Sequence, residues 1–415
     1  MAKVTDILIE ETDESLWAAA LEGGQLSGLE VDPSLEEVRW GSVYWARVFR
    51  IDTSLDAAFV DLDGSNKGIL NVRDVYIKNQ DGIITRGGNV SIGKLLRTGQ
   101  MVAVQAKSGY LPKEDRDSDD IHGENKIPPV SMNIALPGRY LIYTPMAPEN
   151  RISQRIRDKK IRKDLMAMLE TLEDVRGTIL RAAAAYTQTD MLIRESRILK
   201  SIWEQLQPHF DGDEMGLIME GPDALQRVLS DYASRQIGHI EVVTMDHYQQ
   251  VEEWCEVFAP DLVTKIKPVE VADPESGLAL FEHRDIMGQI EDLFQPYTLL
   301  PGGGSIIIEQ TAALTAVDVN TGGDKRGRLA VNVEAAAEIA RQIRLRNLGG
   351  MILIDFLKMK TKDDEAALIK AMEDAVSEDP CTVQLHGMSS LGLMEITRAR
   401  RTPALADRFE SVFSD

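Results

Sequence analysis

Two apolar, β-rich runs that each end in an aspartate, with a helical stretch between them, constrain the fold of this chain most. The first run, LTAVDVN at 314–320, contains Asp318, and the second, MILIDF at 351–356, contains Asp355. The intervening VEAAAEIARQIRLRNLGG has apolar residues at helical spacing and ends in Gly-Gly, a common helix stop. A strand, a helix and a second strand predict an α/β unit with parallel strands. Both aspartates would then lie near strand carboxyl ends, where such sheets often place their sites.

The two carboxylates allow two interpretations. If the strands are neighbours, Asp318 and Asp355 lie close together, and a close carboxylate pair repels unless a cation or a proton separates it. Mg²⁺ fits such a pair because it prefers oxygen ligands and often takes only one or two protein carboxylates, and Asn320 could orient a ligand or a phosphate. In the other interpretation Asp318 begins a turn before Gly322-Gly323 and Asp355 caps a loop. Spacing alone leaves both open.

Upstream of this unit, the pattern changes from β to mixed structure. Residues 1–40 alternate short apolar runs with turns, which predicts strands. Segment 41–134 contains five more strand candidates: SVYWARVFRID, AAFVDLDG, KGILNVRDV, MVAVQAKSG and PPVSMNIAL. A small barrel would bury such strands without leaving long edges. Helical spacing appears at 151–173 and again from about 187, and from 284 the pattern is α/β.

Length and composition indicate a multidomain protein of the cytoplasm. The chain has 415 residues, more than one ordinary core accommodates. The N-terminus is acidic where a signal peptide would be basic, and no apolar run has the length of a membrane span. The two cysteines, Cys255 and Cys381, are far apart and make no case for structural zinc.

Charge argues in two directions about a nucleic-acid partner. The net charge of −21 disfavours a nucleic-acid coat protein, whose binding surface is usually basic. One segment, RISQRIRDKKIRK at 151–163, is nevertheless strongly basic. It is either a solvated helix face or a local phosphate contact.

The motifs resemble one known family. LPGGGSIIIEQTAALTAVDVNTGG, NVEAAAEIARQIRLRNLGGMILIDF and LGLMEITRARRTP are similar to the ribonuclease E/G family, and AAFVDLDG, KGILNVRD, PGRYLIYTP, ISQRI and GTILR match it in the same order. The resemblance implies a multidomain α+β and α/β fold with an RNase H-like element split by insertions. The implied parts are 1–40 (RNase H-like, first part), 41–127 (S1 RNA-binding barrel of OB type), 128–226 (5′-sensor-like domain), 227–283 (RNase H-like, second part) and 284–415 (DNase I-like α/β catalytic domain).

The resemblance also implies an activity. It is a Mg²⁺-dependent endoribonuclease, with Mn²⁺ as an alternative ion, that cleaves single-stranded RNA to 5′-phosphate and 3′-hydroxyl products in RNA processing, rRNA processing included, or decay. Asp318 and Asp355 would hold the metal, and Asn320 would complete the catalytic set. The alternative is an RNA-binding protein of the same fold with little or no nuclease activity, because several substrate-contacting positions differ from the family pattern.

Those positions concern RNA binding. Phe59 and Lys126 match RNA-contacting residues of the family's barrel, whereas Ile69 stands where a second aromatic is usual. The 5′-end pocket of the family maps onto Gly138, Ile142, Arg155 and Arg181. Ala182 replaces the pocket threonine, and Gln154 replaces an arginine. We therefore expect a weak preference for 5′-monophosphorylated RNA.

The family commonly continues into a C-P-x-C link through which two protomers share zinc. The sequence given ends in RRTPALADRFESVFSD without a cysteine. Either the chain is truncated before this link or this member lacks it. We therefore expect a possible homodimer, but not one formed through the zinc link.

Overall fold

The computed structural model describes residues 4–12, 15–33, 38–78, 84–109, 127–147, 149–153, 155–156, 158–171, 176–271 and 277–408. Lys126 and Gln154 lie outside these ranges. The chain divides into two compact units. The first comprises 1–33, 235–252 and 264–415, and the second comprises 34–234 and 253–263.

In the first unit, the N-terminal strands share a sheet with strands from much later in the chain. The strands are β1 (Val4–Thr12), β2 (Ser15–Glu22), β3 (Gln25–Pro33), β16 (Gln236–Val242) and β17 (Ile266–Pro268), in the order β17-β16-β1-β2-β3. β1, β2 and β3 form an antiparallel meander, whereas β16 pairs with β1 in parallel. Two short helices, α6 (Ala279–His283) and α7 (Met287–Glu291), pack Phe281 and Ile290 against apolar side chains of this sheet.

A six-stranded mixed sheet with two long helices forms the other half of the first unit. Its strands are β18 (Tyr297–Leu299), β19 (Ser305–Gln310), β20 (Leu314–Asn320), β21 (Gly350–Asp355), β22 (Val383–Met388) and β23 (Met394–Arg398), in the order β18-β19-β20-β21-β23-β22. The helices are α8 (Arg328–Leu345), α9 (Lys362–Val376) and the short α10 (Leu405–Arg408). β20 and β21 are parallel, with α8 between them in sequence, as the α/β pattern predicts. The other neighbouring pairs are antiparallel.

Within the described residues of the second unit, five strands close into a barrel, which confirms the predicted small barrel. They are β4 (Val43–Asp52), β5 (Ala57–Asp61), β6 (Lys67–Asn71), β9 (Met101–Ala106) and β10 (Pro129–Ser131), and β15 (Gly216–Met219) adds to β4. The ring closes because β4 pairs with both β5 and β9. Inward residues such as Val48, Val60, Leu70 and Val104 fill the interior. A hairpin, β7 (Tyr76–Lys78) with β8 (Ile84–Arg86), and α1 (Ile92–Leu95) follow β6 in sequence.

A four-stranded sheet and helices complete the second unit. The strands are β11 (Leu136–Pro137), β12 (Leu141–Tyr143), β13 (Arg151–Ile152) and β14 (Thr178–Leu180), in the order β11-β12-β14-β13. The helices are α2 (Lys159–Thr171), α3 (Thr189–Leu206) and α4 (Ala224–Tyr232), while α5 (Met245–Phe258) has residues in both units. Leu192 and Leu199 of α3 pack with Leu141 and Leu180 of the sheet. In the described part of the chain, no helix combines the length and the apolar character that crossing a membrane requires.

Candidate active site

The two predicted aspartates lie side by side at the carboxyl ends of neighbouring parallel strands. In the pairing of β20 with β21, Asp318 and Asp355 are direct Cα partners. Neighbouring strands are about 4.8 Å apart, and paired residues present their side chains on the same face. Because α8 returns the chain to begin β21 beside β20, the two carboxylates meet at one place on the sheet.

Alternation along these strands gives the sheet a buried face and an open face. The buried positions pack in one apolar core with α8 and α9, and they are Val317, Val319, Ile352 and Ile354. Asp318, Asn320 and Asp355 lie on the opposite face and are exposed. We call the face that bears these three residues the open face.

Asn320 orients the first aspartate. It lies two residues beyond Asp318 on the same strand, and its Nδ2 donates a hydrogen bond to Asp318 Oδ2 at 2.7 Å. This contact holds one carboxylate oxygen, so the orientation of the carboxylate is set before any ligand arrives. The structure thus brings together the three residues that the resemblance implicates in catalysis.

Two apolar side chains on the open face were missed by the sequence analysis. Tyr297 of β18 pairs with Ile307, which pairs with Asp318, so all three lie in one row across the sheet. Leu299, two residues beyond Tyr297, lies on the same face, and both side chains are at least half exposed. Their signal in the sequence is the alternation in YTL, which is too short to assign a face.

A buried amide ties α8 to the segment that follows Asp355. Asn332 is fully buried; its Nδ2 donates to Leu357 O at 2.7 Å, and its Oδ1 accepts from Leu357 N at 3.1 Å. Both main-chain polar groups of Leu357 are therefore satisfied by one side chain. Because Leu357 is two residues beyond Asp355, this clamp positions the end of β21. Asn332 looks like an ordinary helix residue in the sequence, and no local pattern distinguishes it.

The loop after β20 is anchored by an ion-pair cluster. Arg326 Nη2 lies 2.6 Å from both Asp324 Oδ2 and Glu334 Oε2. The hydrogen bond from Arg326 lowers the pKa of Asp324, and Asp324 and then Glu334 raise the pKa of Arg326. Since Glu334 belongs to α8, the cluster fixes the chain just downstream of Asn320 to that helix.

In the second unit, Phe59 faces outward from the barrel. Its neighbours Ala58 and Val60 point into the barrel core, so alternation places the Phe59 ring on the outer surface. It is 8% exposed, and the Arg50 guanidinium carbon lies 4.0 Å from its ring centroid. At this exposure most of the Phe59 ring is covered, so the ring itself offers little surface on which a base could stack. The second predicted RNA contact, Lys126, lies outside the described residues.

Three residues of the predicted 5′-end pocket lie together in the four-stranded sheet. Gly138 directly follows β11, Ile142 lies in β12 and Arg181 directly follows β14. Arg181 Nη1 donates to Gly138 O and to Ser230 Oγ, both at 2.6 Å, and its Nη2 lies 3.0 Å from Asp231 Oδ1. A phosphate that binds this guanidinium would have to share it with Asp231.

Arg155, the fourth predicted pocket residue, follows the neighbouring strand. β13 runs parallel to β14, so Arg155 and Arg181 both follow strand ends at the same edge of the sheet. Part of the basic segment has a structural role: Arg162 Nη1 donates to the main-chain oxygens of Ser153 and Ile156.

A buried carboxylate lies behind Gly138. Glu195 of α3 accepts hydrogen bonds from the main-chain N–H groups of residues 139–141. Burial raises the pKa of Glu195 to about 7, although these donors and Arg181 oppose the shift. A Cβ atom at position 138 would lie 2.5 Å from the Glu195 carboxylate, so the close approach requires glycine.

Comparison with known proteins gives one consistent family. The model of the "Ribonuclease E/G family" matches residues 135–401. A "Ribonuclease E" of Haemophilus influenzae is 32% identical over 412 residues, which cover 97% of this chain and 42% of the relative. A "Ribonuclease E" of Escherichia coli is also 32% identical, over 97% of this chain and 37% of the relative. A "Ribonuclease G" of Salmonella typhimurium is 30% identical, over 95% of this chain and 80% of the relative.

The chain therefore spans about two fifths of the length of the ribonuclease E relatives and four fifths of the ribonuclease G relative. The family model covers well over half of the chain, and the matched relatives cover nearly all of it. This chain belongs to the ribonuclease E/G family.

Proposed function

We propose that this protein is a Mg²⁺-dependent endoribonuclease that cleaves single-stranded RNA in RNA processing or decay. The observation that carries the proposal is the direct pairing of Asp318 with Asp355 on an exposed sheet face, with Asn320 bonded to the first carboxylate. The names of the relatives, ribonuclease E and ribonuclease G, support the same class of substrate.

The residues present fit a magnesium ion. Within the described ranges, no group of three or more His, Cys, Asp and Glu side chains could enclose a metal. An open pair of carboxylates suits Mg²⁺, which often takes only one or two of them and keeps water and substrate phosphate as its other ligands. A bound cation would also relieve the repulsion between two adjacent carboxylates.

Each residue has a distinct part in the proposed reaction. Asp318 and Asp355 hold the ion, and Asn320 keeps the Asp318 carboxylate in its binding orientation. When bound, Mg²⁺ supplies Lewis-acid stabilisation of charge on the scissile phosphate and acidifies a coordinated water. Hydrolysis breaks the P–O3′ bond, so the products carry a 5′-phosphate and a 3′-hydroxyl. The open face leaves room for an extended strand to reach the two carboxylates.

We further propose the domain assignments of the family for this chain. The sheet shared by residues 4–33 and 236–268 supports a split RNase H-like element, and the closed barrel supports an S1-type RNA-binding domain. By the same resemblance, 128–226 is the 5′-sensor-like domain and 284–415 the DNase I-like catalytic domain. We also propose a cytoplasmic location, because the proposed substrate is RNA. Cys255 and Cys381 are both buried, so we propose neither as a ligand of a zinc ion shared between protomers.

Cleavage of a short fluorescent RNA tests the proposal. We expect cleavage with Mg²⁺ and none with EDTA, and loss of cleavage with retained RNA binding in Asp318→Asn and Asp355→Asn. Glu309→Gln is the matched control, because Glu309 is an exposed carboxylate on the open face of neighbouring β19; it should cleave normally. The downstream product should be degraded by an exonuclease that requires a 5′-phosphate.

Three results would contradict the proposal. Normal turnover by either aspartate variant would show that the active site is assigned wrongly. Cleavage that persists in EDTA would show that the reaction does not require a metal ion. Tight RNA binding by the wild-type protein without cleavage favours the alternative, an RNA-binding protein of the same fold.

A further inference from the structure

A β-bulge turns two consecutive residues of β4 toward the outside of the barrel. The register pairs Val48 with Val60 and Arg50 with Phe59, so Phe49 is an extra residue on β4 with no counterpart on β5. A bulge of this kind re-aims side chains. Both Phe49 and Arg50 are exposed, where strict alternation would turn one of them inward.

The bulge creates a cluster of two rings and two cations, which we call the aromatic patch: Phe49, Arg50, Phe59 and Lys67. The Phe49 and Phe59 ring centroids are 6.2 Å apart at an interplanar angle of 50°. Arg50 lies 4.0 Å from the Phe59 centroid, and Lys67 Nζ lies 5.4 Å from the Phe49 centroid. Phe49 is 39% exposed against 8% for Phe59, so Phe49 offers most of the accessible ring surface.

The patch also accounts for the aliphatic residue at position 69. Ile69 of β6 is the direct cross-strand partner of Phe59, on the side away from β4. It stands where the family pattern has a second aromatic. Phe49 supplies a second ring on the opposite side of Phe59, from β4 instead of β6. The barrel surface therefore has two neighbouring rings, on β4 and β5, with an aliphatic side chain beside them on β6.

We propose that Phe49 is a base-stacking residue for single-stranded RNA, with Arg50 and Lys67 contacting the flanking phosphates. This inference rests on the proposed function and names a binding residue for it. Exposed rings interleaved with cations are the surface on which single-stranded nucleic acid binds, since every base can stack and every linkage is anionic. Among the ion pairs of the described residues, one involves the aromatic patch. It is the long contact of 3.8 Å between Arg50 Nη2 and Asp52 Oδ2.

The acidic residues near the patch are engaged in turns. Asp52 accepts hydrogen bonds from the hydroxyl and N–H of Ser54 and from Leu55 N. Asp61 accepts from Gly64 N. These contacts turn carboxylate oxygens of Asp52 and Asp61 toward loop groups, although both carboxylates keep their negative charge.

RNA-binding affinity tests the proposal in the full chain carrying Asp355→Asn, which prevents cleavage during measurement. Binding is measured by fluorescence anisotropy with an RNA of about ten nucleotides, a length that covers the usual binding-site size of such a barrel. We expect Phe49→Ala to weaken binding roughly tenfold, Phe49→Tyr to stay close to the parent, and Phe49→Leu to behave like the alanine variant. Leu55→Ala is the matched control, because Leu55 is an exposed apolar residue of the same barrel outside the patch.

A series of RNAs, each lacking one base at a different position, distinguishes base stacking from an effect of charge or of protein folding. In the parent protein, one position should lose affinity when its base is removed, and in Phe49→Ala that position should no longer matter. Equal affinity of Phe49→Ala and its parent overturns the inference. A loss that is the same for intact and abasic RNA overturns it too, because the ring would then act through structure. If the parent protein binds no RNA at all, the proposed function fails and this inference fails with it.

Discussion

Asn332→Ala tests whether the clamp on Leu357 positions Asp355, one of the two proposed metal ligands. The substitution removes the donor to Leu357 O and the acceptor of Leu357 N in one step. It leaves the strand sequence, the exposed carboxylates and the open face unchanged. We therefore expect an effect on catalysis from a residue that contacts neither RNA nor metal.

The magnitude follows from the two lost hydrogen bonds. Each neutral hydrogen bond contributes about 1 kcal/mol net, so the pair contributes roughly 2 kcal/mol. In a unit of this size the thermal midpoint should then fall by roughly 4–8 °C. If half to all of that energy serves to place Asp355, cleavage slows by roughly 5- to 30-fold, since about 1.4 kcal/mol is a factor of ten in rate.

The assay is kcat at saturating RNA across a Mg²⁺ titration, together with thermal unfolding. A displaced Asp355 holds the ion less well, so the Mg²⁺ concentration for half-maximal rate should rise while the KM for RNA stays close to the wild-type value. Gln289→Ala is the control, because Gln289 makes the same two-way contact with main-chain groups of Leu26 and Gly24 in the other sheet of this unit. It should lower stability without altering the Mg²⁺ requirement. If Asn332→Ala lowers the thermal midpoint but leaves kcat and the Mg²⁺ requirement unchanged, the positioning role is wrong.

Three further predictions follow from other contacts. Glu195→Gln should flatten the pH dependence of the unfolding free energy. Because its pKa is raised, Glu195 binds its proton more tightly in the folded protein than in the unfolded chain. Its contribution to the unfolding free energy therefore falls as pH rises from about 4.5 to 7. Denaturant titrations in which the wild-type unfolding free energy rises over this pH window would contradict the prediction. Arg398→Ala leaves the Asp379 carboxylate buried without its 2.9 Å partner and should cost about 3–5 kcal/mol in chemical unfolding; a cost below about 1 kcal/mol contradicts the burial of the pair. The wild-type protein should cleave 5′-monophosphate and 5′-hydroxyl RNA at similar rates. Ala182→Thr restores a hydrogen-bond donor next to Arg181 and should raise the preference for the monophosphate severalfold. A large monophosphate preference in the wild type would refute the expected weak binding by this pocket.

The element pattern was accessible from the sequence because its signals are local. The run from 314 to 356 predicted strand, helix and strand, and the structure has β20, α8 and parallel β21. The five barrel strands were likewise predicted from short apolar runs between turn residues. Periodicity and turn chemistry act over a few residues, so neighbouring residues alone carry them.

Register was not accessible in the same way. The sequence placed Asp318 and Asp355 near two strand ends, but spacing alone also allowed a turn at the first and a loop cap at the second. The structure pairs them directly. A slip of one residue would have put one carboxylate on the buried face, and only the packing of both strands against α8 and α9 excludes that slip.

Contacts between distant segments also needed the tertiary structure. Nothing near Asn332 in the sequence indicates that its side chain satisfies Leu357, and nothing near Phe49 indicates a bulge opposite Phe59. Arg181 was identified from its motif, yet its partner Asp231 lies 50 residues later in α4.

The sequence by itself determined the order of strands and helices, the aspartates and asparagine available for metal chemistry, and the family. The tertiary structure decided which of those groups meet, which face of a sheet stays open and which ring is exposed. The physical reason is that propensity and periodicity are properties of neighbouring residues. Register, bulges and buried hydrogen bonds depend instead on partners that the fold brings from far along the chain.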